Sequence, residues 1–237
     1  MLQLMNYNPI LIVSGEPNSV FLELFFKVLK KNTIKNPIIL ISSKKLLNLQ
    51  MKKLGFKNKI RILSASKLNA YKLDNKTINL INVEYNPVKA FERISNKSNV
   101  FIKKSFELAF KIIKKYHIKK FINGPISKKY FLKNRFLGIT EFISQKFLAK
   151  NTCMLIFNKK LSVCPITTHL PLKLVANKIN KKTISNKISL VNDFYEENFE
   201  FKPQIAILGL NPHCESVHKY NEDEKVIKPV IKQLKKR

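Results

Sequence analysis

The sequence predicts an α/β fold with a mainly parallel sheet. Three observations carry that expectation. Short runs rich in Ile, Val and Leu recur along the chain, as fully buried strands do. Apolar residues with helical spacing lie between several of them. Three glycine-containing turns directly follow a predicted strand, at the carboxyl ends where α/β proteins build their sites.

In chain order, the first strand is expected over 10–13. Val20, Phe21, Leu24, Phe25, Val28 and Leu29 then fall on one helical face behind Asn18 and Ser19, both able to cap. A strand over 38–41 precedes a helix containing Leu46, Leu47 and Leu54, which Gly55 ends as a left-handed cap. Strands follow over 60–63 and 80–83. Phe101, Phe106, Leu108, Ala109, Ile112 and Ile113 mark a long third helix. Further strands are expected over 120–122, 154–157, 163–166 and 205–208, with helices near 141–150, 183–198 and 223–236. Two domains are expected, 1–122 and 123–237, with no internal repeat.

The 237 residues are 45 % hydrophobic, enough to build a core. The net charge of +30 would draw phosphate backbones non-specifically. Yet only four of the 45 basic residues are Arg, the better bidentate reader of phosphate and guanine. The lysines are spread from Lys27 to Lys236, and Asn and Ile are also abundant. That is a chain-wide bias with solvated Lys on helix faces, and no specific nucleic-acid partner is expected. Three Cys without a CxxC pair exclude a disulfide framework and fit a reducing cytosol. No run of apolar residues suits a membrane span and no signal peptide is evident, so a cytoplasmic location is expected. Neither GxGxxG, GxSxG nor a Walker A pattern occurs.

His169 follows the expected strand 163–166 in Thr167-Thr168-His169-Leu170-Pro171-Leu172. His213 follows 205–208 in Asn211-Pro212-His213. Were these strands parallel, a right-handed crossover would bring both imidazoles to one sheet edge, as ligands for a divalent metal. The alternative is that each merely packs in a loop. Cys214, Glu215 and His218 are nearby candidates for a third ligand. In Asn123-Gly124-Pro125-Ile126-Ser127-Lys128, Pro125 can start a helix and Lys128 would sit in its first turn, suited to an anion. In Gly138-Ile139-Thr140-Glu141-Phe142, Thr140 can cap a helix or grip a phosphate.

Together, SGEP, NGPISK, LGITEF, ITTHLPL and ILGLNPH resemble, in order, the 4-hydroxythreonine-4-phosphate dehydrogenase family of vitamin B6 biosynthesis. The resemblance implies a fold like isocitrate and isopropylmalate dehydrogenases, a two-domain α/β/α architecture, and a homodimer. It implies oxidation of a phosphorylated amino acid, 4-phosphooxy-L-threonine, by NAD(P), with a divalent metal (Zn, Mg or Co) that acidifies the bound hydroxyl. His169 and His213 match metal ligands and Thr140 a substrate-binding position. Lys128 matches the Gly-Pro-x-x-Lys segment, with a catalytic role. Ile139 stands where the family usually has a substrate-binding His, which leaves open another phosphorylated hydroxy acid, such as a phosphothreonate. The turn after His213 is shortened. Family members are longer, so the third metal His, further substrate contacts and much of the cofactor site are expected outside this sequence. An inactive fragment or a basic binding protein is the remaining alternative.

Overall fold

The computed structural model describes residues 8–31, 34–133, 135–149, 151–214 and 220–235. The chain divides into two compact units, Met1–Phe147 and Leu148–Arg237.

The first unit is a five-stranded parallel sheet with helices on both faces. The strands are β1 (Ile10–Val13), β2 (Ile38–Ser42), β3 (Ile60–Ile62), β4 (Ile78–Asn82) and β5 (Lys120–Asn123), in the order β3-β4-β2-β1-β5. Leu11 of the central strand pairs with Ile39 on one side and Phe121 on the other. Because side chains alternate along a strand, β2 feeds two cores. Ile38 and Leu40 join Leu22, Phe25 and Phe26 on one face, while Ile39 and Ile41 join Phe101, Phe106 and Phe110 on the other. A strand buried on both faces must be apolar throughout, and Ile38–Ile41 is.

Helix α1 (Phe21–Lys31) starts where the Ser19 hydroxyl accepts the Phe21 N–H, with Glu23 in its first turn and Lys30 and Lys31 in its last. These charges complement the helix dipole. Helix α2 (Lys44–Leu54) is capped by Ser43, whose hydroxyl accepts the Leu46 N–H, and ended by Gly55 at φ 73°. Helix α3 (Asn99–Tyr116) lays Ile102, Phe106, Ala109 and Ile112 on the sheet.

The expected division after Ile122 differs from the observed one after Phe147. Strand β5 pairs with β1, and the segment behind it packs back on α3. Phe131 and Phe142 lie 6.2 and 5.5 Å from the Phe106 ring, and Phe147 lies 5.1 Å from Phe110. Helix α4 (Ile139–Lys146) therefore belongs to the first unit.

The second unit departs from expectation. Among its described residues it contains α5 (Lys181–Phe199), α6 (Lys228–Leu234) and short turns, but no extended strand. Segments 154–157 and 163–166 meet only through an antiparallel bridge between Ile156 and Val163. The five residues 158–162 between them are too few for a parallel crossover, which needs about a dozen. Segment 205–208 joins no sheet, and Leu208 is 84 % exposed. An apolar run of this length has no periodicity to specify its pairing, so a strand forms only where a neighbour offers free backbone groups. The core here is helical instead, with Ile184 of α5 packed with Ile227 and Val230.

Candidate functional site

The turns after β1 and β5 interlock at the carboxyl edge of the sheet. This is a topological switch point, because the segment after β1 leads to α1 on one face and the segment after β5 packs with α3 on the other. Gly15 and Gly124 permit the approach. Gly15 has φ 69°, and a Cβ there would lie 2.4 Å from the Pro125 carbonyl oxygen. A Cβ on Gly124 would lie 2.1 Å from the Ser14 oxygen. Two backbone bonds stitch the turns together, Glu16 N–H to Pro125 O and Gly124 N–H to Val13 O, both 2.7 Å.

Glu16, which sequence reasoning did not single out, is the hub of this edge. Only 3 % exposed, its carboxylate accepts the Asn18 N–H and side-chain amide (both 3.2 Å) and the Ser98 hydroxyl (2.9 Å). It thus ties the Ser14–Pro17 turn to the start of α3. A signal was available: an acid after Gly in a chain with only 15 acids. Sequence reasoning also missed a polar crevice at the ends of β2 and β4, lined by Ser43, Lys44, Asn48, Asn82, Tyr85 and Asn86. Burial pushes the Tyr85 hydroxyl above its ordinary value, aided by Glu92.

Lys128 is exposed and begins a single π turn, Lys128–Leu132, capped by the Ser127 hydroxyl at the Tyr130 N–H. The helical turn starts three residues later than Pro125 suggests. Thr140 is half-buried and lies inside α4 rather than capping it. The cap position is Gly138, in extended backbone with no side chain to contribute. Ile139, half-buried, packs against the aromatic cluster around Phe106, Phe142 and Phe147. An apolar residue there is held by the core.

His169 and His213 are both in the second unit and both exposed. The predicted parallel strands behind them are not formed, so a shared sheet edge does not place them. They share a different property, left-handed backbone with φ 53° and 56°. Such a conformation costs a non-glycine residue about 1–2 kcal/mol, and His117, Lys133, Leu148, Glu200 and Cys214 adopt it as well, so it does not by itself mark a site. Cys214 follows His213 at φ 58°.

The loop before His213 is anchored by Asp223, also missed from the sequence. Its carboxylate, in a residue 1 % exposed, accepts the N–H groups of Leu210 (2.9 Å) and Asn211 (3.1 Å) and the Asn211 amide (2.8 Å). Burial alone would raise its pKa, but these hydrogen bonds outweigh it and hold the carboxyl below its ordinary range.

Among the described residues, no group of three or more His, Cys, Asp and Glu side chains could hold a metal ion. Glu215 and His218 lie outside the described residues. The described residues therefore do not by themselves form a metal site.

The family described as "Pyridoxal phosphate biosynthetic protein PdxA" matches residues 33–237. A 4-hydroxythreonine-4-phosphate dehydrogenase of Sulfurihydrogenibium sp. (strain YO3AOP1) is 31 % identical over 229 residues, covering 94 % of this chain and 70 % of its own length. One from Aquifex aeolicus (strain VF5) is 29 % identical over 233 residues, with 95 % and 70 % covered. The crystal structure of a 4-hydroxythreonine-4-phosphate dehydrogenase from Burkholderia phymatum shares the fold, with a TM-score of 0.78 at 22 % identity over 97 % of this chain and 71 % of that one. The Klebsiella pneumoniae structure of the same name gives 0.79 at 19 % identity, with 96 % and 71 % covered.

Proposed function

This chain belongs to the family of the pyridoxal phosphate biosynthetic protein PdxA, and on that premise we propose that it is an NAD(P)-dependent oxidoreductase of vitamin B6 biosynthesis. The reaction is oxidation of 4-phosphooxy-L-threonine to 2-amino-3-oxo-4-phosphooxybutanoate. Loss of CO₂ from this 3-oxo acid leaves 3-amino-2-oxopropyl phosphate. The observation that carries the reading is the family match over 33–237, which contains NGPISK, LGITEF, TTHLPL and GLNPH.

The roles proposed for the chain's own residues follow from their chemistry. Thr140, near the start of α4, offers a hydroxyl to the substrate, and Lys128 offers an ammonium to an anionic group. Glu16 and the two glycines hold the first unit's turns in one conformation. His169 and His213 are proposed as ligands of a divalent metal whose other ligands lie outside the described residues. No described residue is assigned to NAD(P). A homodimer in the cytoplasm is proposed; among the described residues no helix is long and apolar enough to cross a membrane.

The test is NAD(P)H formation by the purified protein with 4-phosphooxy-L-threonine, NAD or NADP and a divalent metal, beside His169→Ala and His213→Ala. Turnover in the parent and its loss in both variants is expected. A parent no faster than the variants would refute the assignment. Ile139 favours a second reading, oxidation of a different phosphorylated hydroxy acid such as a phosphothreonate. Running both substrates in the same assay decides between them.

A further inference from the structure

We propose that Asn123 and Gly124 form a self-modification site, and that the joint between the turns after β1 and β5 keeps it shut. The reaction is deamidation through a cyclic imide. It needs only water and is separate from the proposed dehydrogenase chemistry.

The chemistry sets the residue types. The Gly124 backbone nitrogen gives up its proton and attacks the carbonyl carbon of the Asn123 side chain. A C–N bond forms, the bond to the side-chain NH₂ breaks, and that group takes up a proton and leaves as ammonia. Water then opens the imide at either carbonyl, giving aspartate or isoaspartate. Nothing is oxidised or reduced. Glycine has no Cβ to hinder the attack and the widest choice of backbone angles, so an Asn before Gly reacts fastest. This sequence has one such step, because the other four glycines follow Ser14, Leu54, Leu137 and Leu208.

In the fold each reacting group is engaged. Asn123 ends β5, in register with Val13 of β1. The Gly124 N–H, whose nitrogen is the nucleophile, donates to Val13 O at 2.7 Å. A proton held in such a bond is released when the bond opens, as in amide hydrogen exchange. The leaving amide is held as well, since Asn123 Nδ2 donates to Gly124 O at 3.1 Å. Backbone also fills the space into which the peptide would swing. A Cβ on Gly124 would lie 2.1 Å from Ser14 O, and the Glu16 N–H to Pro125 O bond at 2.7 Å closes the next turn. Reaction therefore proceeds from the open fraction of the joint.

Conversion then removes what holds the joint. Aspartate at 123 sets an acceptor where the amide donated to Gly124 O. Isoaspartate adds a carbon to the main chain before Gly124 and displaces it from its seat against Ser14. An opening is thereby written into the covalent chain.

The test compares the folded protein with itself unfolded. Both are held in one mildly alkaline buffer, with and without concentrated guanidinium chloride, sampled over days, desalted and digested with trypsin. Cleavage after Lys120 and Lys128 isolates the site in peptide 121–128. Its mass rises as OH replaces NH₂, and electron-transfer fragmentation separates isoaspartate from aspartate. The site should convert at least about tenfold more slowly in the folded protein, because two backbone hydrogen bonds must break first. Gly15→Ala keeps the Asn-Gly step but sets a Cβ 2.4 Å from Pro125 O, so its rate should rise towards that of the unfolded chain. If this variant does not fold, the parent with and without denaturant decides alone. Equal rates for the folded and unfolded parent, aspartate without isoaspartate in the unfolded chain, or a folded Gly15→Ala that converts no faster than the parent would each overturn the proposal.

Discussion

Replacing Gly124 with Ala should open the joint between the turns after β1 and β5. An added Cβ would stand 2.1 Å from the Ser14 carbonyl oxygen and 2.7 Å from its carbon. An ordinary C···O contact is about 3.3 Å, so the turns must part by about 1.2 Å. The obstruction is backbone on both sides, and no side chain can rotate away to absorb it. Parting the turns stretches the 2.7 Å bonds from Gly124 N–H to Val13 O and from Glu16 N–H to Pro125 O. Two weakened hydrogen bonds cost about 0.5–1.5 kcal/mol each, and overpacking strain adds about 1–3 kcal/mol. The expected loss is therefore about 2–6 kcal/mol, a large share of the ~5–15 kcal/mol that stabilises a typical domain.

Gly55→Ala is the control. It removes a glycine at φ 73° with nothing within 4 Å of the new Cβ. Only the left-handed conformation is penalised, at about 1 kcal/mol. Urea unfolding followed by circular dichroism, with the slopes compared to confirm that the midpoints report stability, measures both. If Gly124→Ala costs no more than Gly55→Ala, the turns are not in steric contact and the switch-point argument fails.

Three other outcomes are expected. Asp223→Asn should cost about 1–3 kcal/mol at neutral pH, since it weakens the bonds from a buried carboxylate to a half-buried turn. The wild-type carboxyl is held below its ordinary pKa, so its contribution is complete above the ordinary carboxylate range and lost as pH falls through the lowered value. The gap between wild type and variant in urea should close below about pH 4, and a gap constant down to pH 3 would contradict the anchor. Phe106→Ala should cost about 3–5 kcal/mol, because the ring is 0 % exposed and touches four other aromatic rings; a thermal melt within a degree or two of wild type would refute that packing. Ile139→His should lower the KM for 4-phosphooxy-L-threonine by roughly three- to tenfold, the worth of one net hydrogen bond, and an unchanged KM would remove Ile139 from the substrate contacts.

The first unit was legible because its signals are local. Strands β1, β2, β3 and β5 fall where the apolar runs do, and Ser43 and Gly55 bracket α2 as their backbone preferences require. Strand β4 starts at Ile78, earlier than expected, because Asn79 is polar yet buried. Its amide donates to Ile38 O at 3.0 Å and Asp74 O at 2.6 Å, a pairing that only the folded chain reveals. The second unit was misread because runs such as 205–208 look alike whether a strand partner exists or not. Thr140 was misplaced by two residues for a similar reason: glycine can occupy a cap position, and a hydroxyl nearby is not evidence that it does the capping. The left-handed backbone of His169 and His213 had only a weak signal, since His is enriched in that region without being confined to it.

The acids make the charge bias informative after all. With 15 Asp and Glu against 45 Lys and Arg, three of every four charged side chains are basic. Burying a carboxylate is costly unless its oxygens are fully engaged. Glu16 and Asp223 are nonetheless almost completely buried, and each accepts three of the hydrogen bonds that shape a motif loop, SGEP in the first unit and LGLNPH in the second. A lysine could replace neither, because it has no acceptor for a backbone N–H. In a chain this basic, a buried acid therefore marks a loop whose conformation matters, and these two acids lie at the loops that the family resemblance singled out independently.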